Sequence, residues 1–220
     1  MLYVRVRCIV QSHLTRTENG VQTIHFTIAQ LKAAQFLAAE NDIRCYFNGV
    51  YLEATPFETR LVGCDGMKIG VVRYAVENDI DAGTTATLIV PNDIIDKAKV
   101  TKRDMLSAAR VEIDNGQHTL CVDALNLRLP FAAVDGRFPE YRRVFPKALS
   151  GEPGQFDPQL LVAFAKAGKT LLHKSNNPVP RLGYNGDNAR VTFDSYDDFI
   201  GVIMGMRPLK DSRPAVVDWL

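Results

Sequence analysis

Three times along this chain a short helical run is followed by three strand-like runs, and that recurrence limits the fold more than any other feature. In the first unit Val21–Thr27 reads as a strand and the alanine-rich stretch Ala29–Asn41 as a helix with Lys32 and Gln35 outside. Arg44–Ala54, Arg60–Cys64 and Lys68–Val76 follow as strands, with tight turns at Asn48-Gly49 and Asp65-Gly66. The second unit opens with the strand Ala86–Val90. Pro91 then suits a first helical turn, and Ile94, Ile95 and Ala98 are spaced for one buried face. That helix stops near Lys99 or runs toward Ala109. Arg110–Ile113 and Gln117–Val122 flank Asn115-Gly116, the pairing that favours a primed hairpin turn, and Leu125–Phe131 follows. In the third unit Asp157 caps a helix with Pro158 at its first position. Leu160, Leu161, Phe164, Ala165 and Gly168 are expected on its inner face. Arg181–Tyr184, Ala189–Asp194 and Asp198–Met206 complete the unit as strands. One such unit cannot bury a sheet face and a helix alone. Packed side by side, the units make an α+β layer with helices on one face of antiparallel sheets.

Between the second and third units lies Val134–Lys147, with three aromatics and four cations among glycine and proline breaks. Residues before proline are pushed toward extended backbone, so this stretch is expected to run as a strap. It divides the chain into 1–20, an extra N-terminal strand region, 21–147, two units, 148–208, one unit, and a tail, 209–220.

The bulk numbers exclude more than they select. The 220 residues carry a net charge of +1, so nucleic acid is not advertised by a global basic field. Cys8, Cys45, Cys64 and Cys121 are widely spaced, with no zinc spacing, and a reducing cytoplasm is the expected setting. No run approaches membrane-spanning length. His13, His25, His118 and His173 have no nucleophile setting, and phosphate-loop, dinucleotide and zincin motifs are missing from the sequence. Asp194, Asp197 and Asp198 read as an acidic turn rather than a metal site. No enzyme, metal or cofactor is therefore expected.

Three stretches in register resemble the bacterial DNA polymerase sliding clamp family, the β subunit of the replicative polymerase. The strap resembles the link between the family's second and third domains. Asp42–Val50 with Cys64-Asp65-Gly66-Met67-Lys68-Ile69 resembles its second-domain strands and "TDGHRL" turn. Ile203-Met204-Gly205-Met206-Arg207-Pro208 resembles its C-terminal "VMPMRL". The resemblance implies a DNA-clamp fold whose domains join edge to edge, with helices toward duplex DNA. This chain lacks a recognisable first domain and half of the third.

The resemblance further implies a greasy cleft that captures short peptides of polymerases and repair proteins. Phe47, Cys64, Gly66, Met67, Lys68 and Ile69 would line it from the first unit, and Pro139, Arg143 and Val144 from the strap. Met204, Gly205, Met206 and Arg207 would come from the last strand. DNA would be met without base reading by Lys32, Lys97, Lys99, Lys102, Arg103, Lys166 and Lys169 on the helices, and by Asn41, Arg44 and Tyr46 after the first helix, with Cys45 beside them. The implied function is a processivity factor that tethers polymerase or repair proteins to double-stranded DNA through this cleft, as a homo-oligomer. The alternative is a peptide-binding adaptor of the same fold that does not encircle DNA.

Overall fold

The structure, a computed structural model, describes residues 20–172, 178–194 and 196–206. The expected N-terminal strand region as far as residue 19, His173, Arg207 and the tail lie outside the described residues. The first unit is β1 (Gln22–Thr27), α1 (Ile28–Gln35), β2 (Gly49–Thr55), β3 (Glu58–Cys64) and β4 (Lys68–Ala75). The second is β5 (Ala86–Pro91), α2 (Asn92–Lys97), β6 (Ala108–Asp114), β7 (Gln117–Val122) and β8 (Leu127–Phe131). After the strap come α3 (Pro158–Leu171), β9 (Pro180–Asn185), β10 (Asn188–Phe193) and β11 (Tyr196–Met204). The third unit therefore has no opening strand among the described residues.

The units exchange their first strands. β1 pairs with β6 of the second unit and β5 pairs with β2 of the first, all antiparallel. The result is a small sheet, β1-β6-β7-β8, and a large one, β5-β2-β3-β4-β11-β10-β9. Unit three joins unit one through β4 and β11, from Phe199 opposite Val72 to Ile203 opposite Lys68.

Strand alternation assigns the two faces of the large sheet. Val50, Leu52, Leu61, Val72, Phe199 and Ile203 belong to the main core with Leu31, Ala34 and Phe164 of the helices. Val62, Ile69, Val71, Ile89 and Val202 face the other way, onto Phe138 and Tyr141 of the strap. Helices cover one side and the strap the other. Two glycines let the helices approach closely. A Cβ on Gly63 would lie 1.9 Å from the Ala34 carbonyl oxygen, and one on Gly201 would lie 2.5 Å from the Phe164 ring.

Local departures from the sequence reading have local causes. α1 ends at Gln35 rather than Asn41, because Leu37, Ala38 and Ala39 turn inward to be buried and Asn41 takes φ 58°. The Ala39 N–H then reaches the Phe47 carbonyl at 2.9 Å. Cys45–Phe47 is a 3-10 turn, so β2 begins only at Gly49. α2 stops at Lys97, and the chain continues irregularly to a 3-10 turn at Asp104–Leu106. On α3 the buried line is Phe164, Ala167, Gly168 and Leu171, and Ala165 is exposed. The Asn115-Gly116 turn has φ of 47° and 79°, both left-handed as a type I′ hairpin requires.

Candidate peptide-binding cleft

The strap is held by aromatic packing. Phe138 stacks on Tyr51 of β2, with centroids 4.6 Å apart and planes 6° apart, and meets Phe47 edge-on at 5.9 Å. Tyr141 is buried and meets Tyr51 edge-on at 6.3 Å. Arg142 stacks over Tyr141 at 4.7 Å and pairs with Glu53, a carboxylate that also faces Arg60 at 3.6 Å. Cys45 donates its thiol to the Asp135 carbonyl at 3.4 Å.

The β3–β4 turn is built by its own side chains. The Asp65 carboxylate accepts the backbone N–H groups of Met67 (2.8 Å) and Lys68 (2.7 Å) and pairs with the Lys68 ammonium. Gly66 adopts φ 93°, a left-handed value open to glycine at no steric cost. The turn is tied to the end of β11 where the Met204 N–H meets the Met67 carbonyl at 2.9 Å.

Between turn, strap and β11 end lies a hollow of about 160 Å³. Phe47, Cys64, Gly66, Met67, Lys68, Ile69, Pro139, Val144 and Met204, all expected from the sequence, line it. Phe138, Tyr141 and Val202 line it too and were not foreseen. Val202 shares a face with Met204 by strand alternation, a signal the sequence does carry. Phe138 and Tyr141 flank Pro139, but only the fold shows that they turn inward. Ile69, Val202 and Phe47 are buried, while Met67 and Met204 stand exposed at the rim. Burial pushes the Cys64 thiol pKa up, so it stays a neutral thiol. A hollow this small, apolar and flexible at the rim suits one or two side chains of a peptide.

Of the other expected cleft residues, Arg143, Gly205 and Met206 do not line it, and Arg207 lies outside the described residues. Arg143 is exposed, because the 3-10 turn Tyr141–Val144 points it outward while Tyr141 turns in. Gly205 and Met206 lie past the end of β11, where their N–H groups bond to the Asp187 and Gln155 carbonyls at 2.7 and 2.6 Å.

The expected DNA-facing residues are divided by the sheet. Lys32 is only half-buried, but its ammonium donates to the Ile95 carbonyl at 2.9 Å, and burial lowers its pKa. It joins α1 to the end of α2 rather than standing free. Lys97 pairs with Asp93 at 3.1 Å. Lys99, Lys102, Arg103 and Lys169 are exposed, and Lys166 lies 6.0 Å over the Phe36 ring. Asn41 is exposed at the end of its turn. Arg44 and Tyr46 sit on the strap side, because the 3-10 turn carries them around the sheet end. Arg44 grips Asp42 in a fork (2.9 and 2.7 Å) and lies 4.6 Å over Phe47, and Tyr46 packs edge-on to Phe47 at 4.7 Å. The fork pulls the Asp42 pKa down to about 2. In the acidic turn, Asp194 pairs with Arg181 and Asp198 with Arg73, both at 2.7 Å.

The family model for the central domain of the DNA polymerase III beta subunit matches residues 22–140. The chain belongs to the DNA polymerase III beta subunit family. The beta sliding clamp of Pseudomonas aeruginosa is 28% identical over 219 residues, covering 84% of this chain and 58% of that relative. The Escherichia coli beta sliding clamp is 31% identical over 134 residues, 56% of this chain and 34% of its own. The chain thus spans about 58% of the length of the Pseudomonas relative. The crystal structure of the Pseudomonas DNA polymerase sliding clamp superimposes with a TM-score of 0.61 at 18% identity, over 85% of this chain and 67% of that one. The beta subunit from Thermotoga maritima gives 0.61 at 13% identity, over 92% and 70%. The fold is that of the sliding clamps.

Proposed function

We propose that this protein is a non-enzymatic tether of the sliding-clamp type, holding polymerases or repair proteins near duplex DNA. The observation that carries this reading is the apolar hollow where strap, β3–β4 turn and β11 end converge. It would take a short peptide by burying a few large apolar side chains, with Met67 and Met204 adjusting to the ligand. Family membership supports the same reading, and the relatives named above are beta sliding clamps. The exposed cations Lys99, Lys102, Arg103, Lys166 and Lys169 belong to the helix side and would meet phosphates by salt-dependent attraction. Polymerase and DNA as partners, a homo-oligomer and a cytoplasmic setting are parts of this proposal. No helix among the described residues is long and apolar enough to cross a membrane. Fluorescence anisotropy of a labelled peptide with two adjacent large apolar side chains tests the cleft. Saturable binding that Met204→Glu weakens supports the reading, and binding indifferent to that substitution removes it.

A further inference from the structure

The strap crosses the large sheet with few directed bonds. Between Gly136 and Leu149 it makes, among the described residues, one hydrogen bond to the rest of the chain, from the Arg142 guanidinium to the Glu53 carboxylate. The 3-10 turn Tyr141–Val144 has no capping side chain. Its one backbone bond, from the Arg143 N–H to the Glu140 carbonyl, is long at 3.4 Å. The Tyr141 hydroxyl is buried without a partner. Burial of Phe138 and Tyr141 therefore holds the strap down, but apolar burial is non-directional and leaves the exact seat of the turn to the ion pair.

Glu53 is placed to set that seat. It follows Tyr51 by two residues on β2, so both point to the strap face while Leu52 and Ala54 enter the main core. Its side chain is only 14% exposed and stands between two cations. Arg60, its register partner on β3, lies 3.6 Å away, and Arg142 reaches it from the strap. Arg60 in turn faces Arg73 across β3 and β4, and each of these has an acid of its own, Glu58 at 2.6 Å and Asp198 at 2.7 Å. Arg142 has, besides Glu53, its strap neighbour Glu140 at 3.6 Å. Of the three arginines it is the one whose place on the sheet depends on Glu53.

The contacts run on from there to the cleft. The Arg142 guanidinium lies 4.7 Å over the Tyr141 ring, a cation on an aromatic face. Tyr141 and Val144, at the two ends of the 3-10 turn, line the apolar hollow. Glu53 and Arg142 do not line it. Carboxylate, guanidinium and ring thus form a stack whose last member is a wall of the hollow and whose first is rooted in β2.

We infer that Glu53 is a positioning residue for the peptide cleft, acting through Arg142 to hold Tyr141 and Val144 as its strap-side wall. This rests on the reading of the hollow as a peptide site. Without the carboxylate, Arg142, whose side chain is 46% exposed, turns to solvent. The Tyr141 ring then loses its cover, and the turn keeps no directed bond to the sheet. The hollow stays apolar, but a peptide must order its wall on binding, which lowers affinity.

Anisotropy of the labelled peptide with two adjacent large apolar side chains, measured on the full chain, tests this. Glu53→Gln and Arg142→Gln are each expected to weaken binding ~5- to 10-fold, the order of one hydrogen bond. The double variant should lose no more than either single one, because both act through one contact. Residues that only lend general stability would give losses that add. Nuclear Overhauser contacts between the rings of Tyr141 and Tyr51, whose centroids are 6.3 Å apart, should weaken in both single variants while circular dichroism shows the fold retained. Arg142→Gln, at a half-exposed side chain, carries the test should Glu53→Gln not fold. A folded single variant that binds as tightly as the parent, or losses that add, overturns the inference and leaves the cleft standing, provided Met204→Glu still weakens binding. If Met204→Glu does not weaken it, the cleft reading fails and the inference fails with it.

Discussion

Replacing Phe138 by alanine tests how the strap makes the cleft. Phe138 is 9% exposed and lies between the rings of Tyr51 and Phe47. Buried Phe→Ala changes cost roughly 3–5 kcal/mol, and the lower end applies because a surface strap can settle partway into the gap. A loss of ~3 kcal/mol corresponds to a fall in Tm of ~6–12 °C for a chain of this size. That is a large share of a typical stability of ~5–15 kcal/mol, yet the variant should remain folded. Thermal and urea denaturation followed by circular dichroism give the stability, and peptide anisotropy at low temperature gives the cleft. Because Phe138 is also a wall of the hollow, peptide affinity is expected to fall by at least ~10-fold, the order of a lost buried anchor contact. Phe138→Leu keeps most of the volume and should cost less than ~1.5 kcal/mol. The reasoning is refuted if Phe138→Ala leaves Tm unchanged, or if stability drops while peptide affinity does not.

Other expectations follow from single contacts. Gly63→Ala places a methyl against the Ala34 carbonyl and should cost at least ~2 kcal/mol by urea denaturation, with α1 displaced. Met204→Glu, at a residue exposed at the rim, should change stability by less than ~1 kcal/mol in the same assay while weakening peptide binding. Replacing Lys99, Lys102 and Arg103 by glutamine should flatten the salt dependence of DNA binding, by about one unit of slope per cation lost. Lys32→Gln should leave that slope unchanged, because its ammonium is already engaged by the Ile95 carbonyl. The Asp42 carboxyl has its pKa lowered from 3.8 to about 2 by its hydrogen bonds from Arg44. Its contribution to folding is therefore full above the unfolded value and fades as pH falls from there through about 2. An NMR titration should show the Asp42 side chain and the Arg44 Nε–H signal moving together in that window.

The elements that the sequence made plain are those with strong local chemistry. Asp157 and Pro158 start α3 where capping rules put it, and Asn115-Gly116 closes a hairpin by its left-handed backbone. What stayed hidden depends on distant partners. Nothing in residues 36–47 announces that Ala39 will bond to Phe47, so the pattern alone runs α1 on to Asn41 and starts the next strand at Arg44, where the structure has a 3-10 turn. The exchange of β1 and β5 between units cannot be read from periodicity, which gives faces but not neighbours. Most of the cleft was legible because turn, strap and final strand each carry a recognisable run of residues. Arg143 was misplaced because a 3-10 turn, unlike the extended strap expected, rotates successive side chains by about a third of a turn.

The most direct test of the account uses methyl signals of the methionines. Met67 and Met204 stand side by side at the exposed rim of the hollow, joined by a 2.9 Å backbone hydrogen bond, while Met105 lies elsewhere, against the main core. On titration with a short apolar peptide, the Met67 and Met204 methyl resonances should shift together and saturate at the binding midpoint, with Met105 unmoved. Saturable peptide binding that leaves Met67 and Met204 in place would contradict the assignment of the cleft.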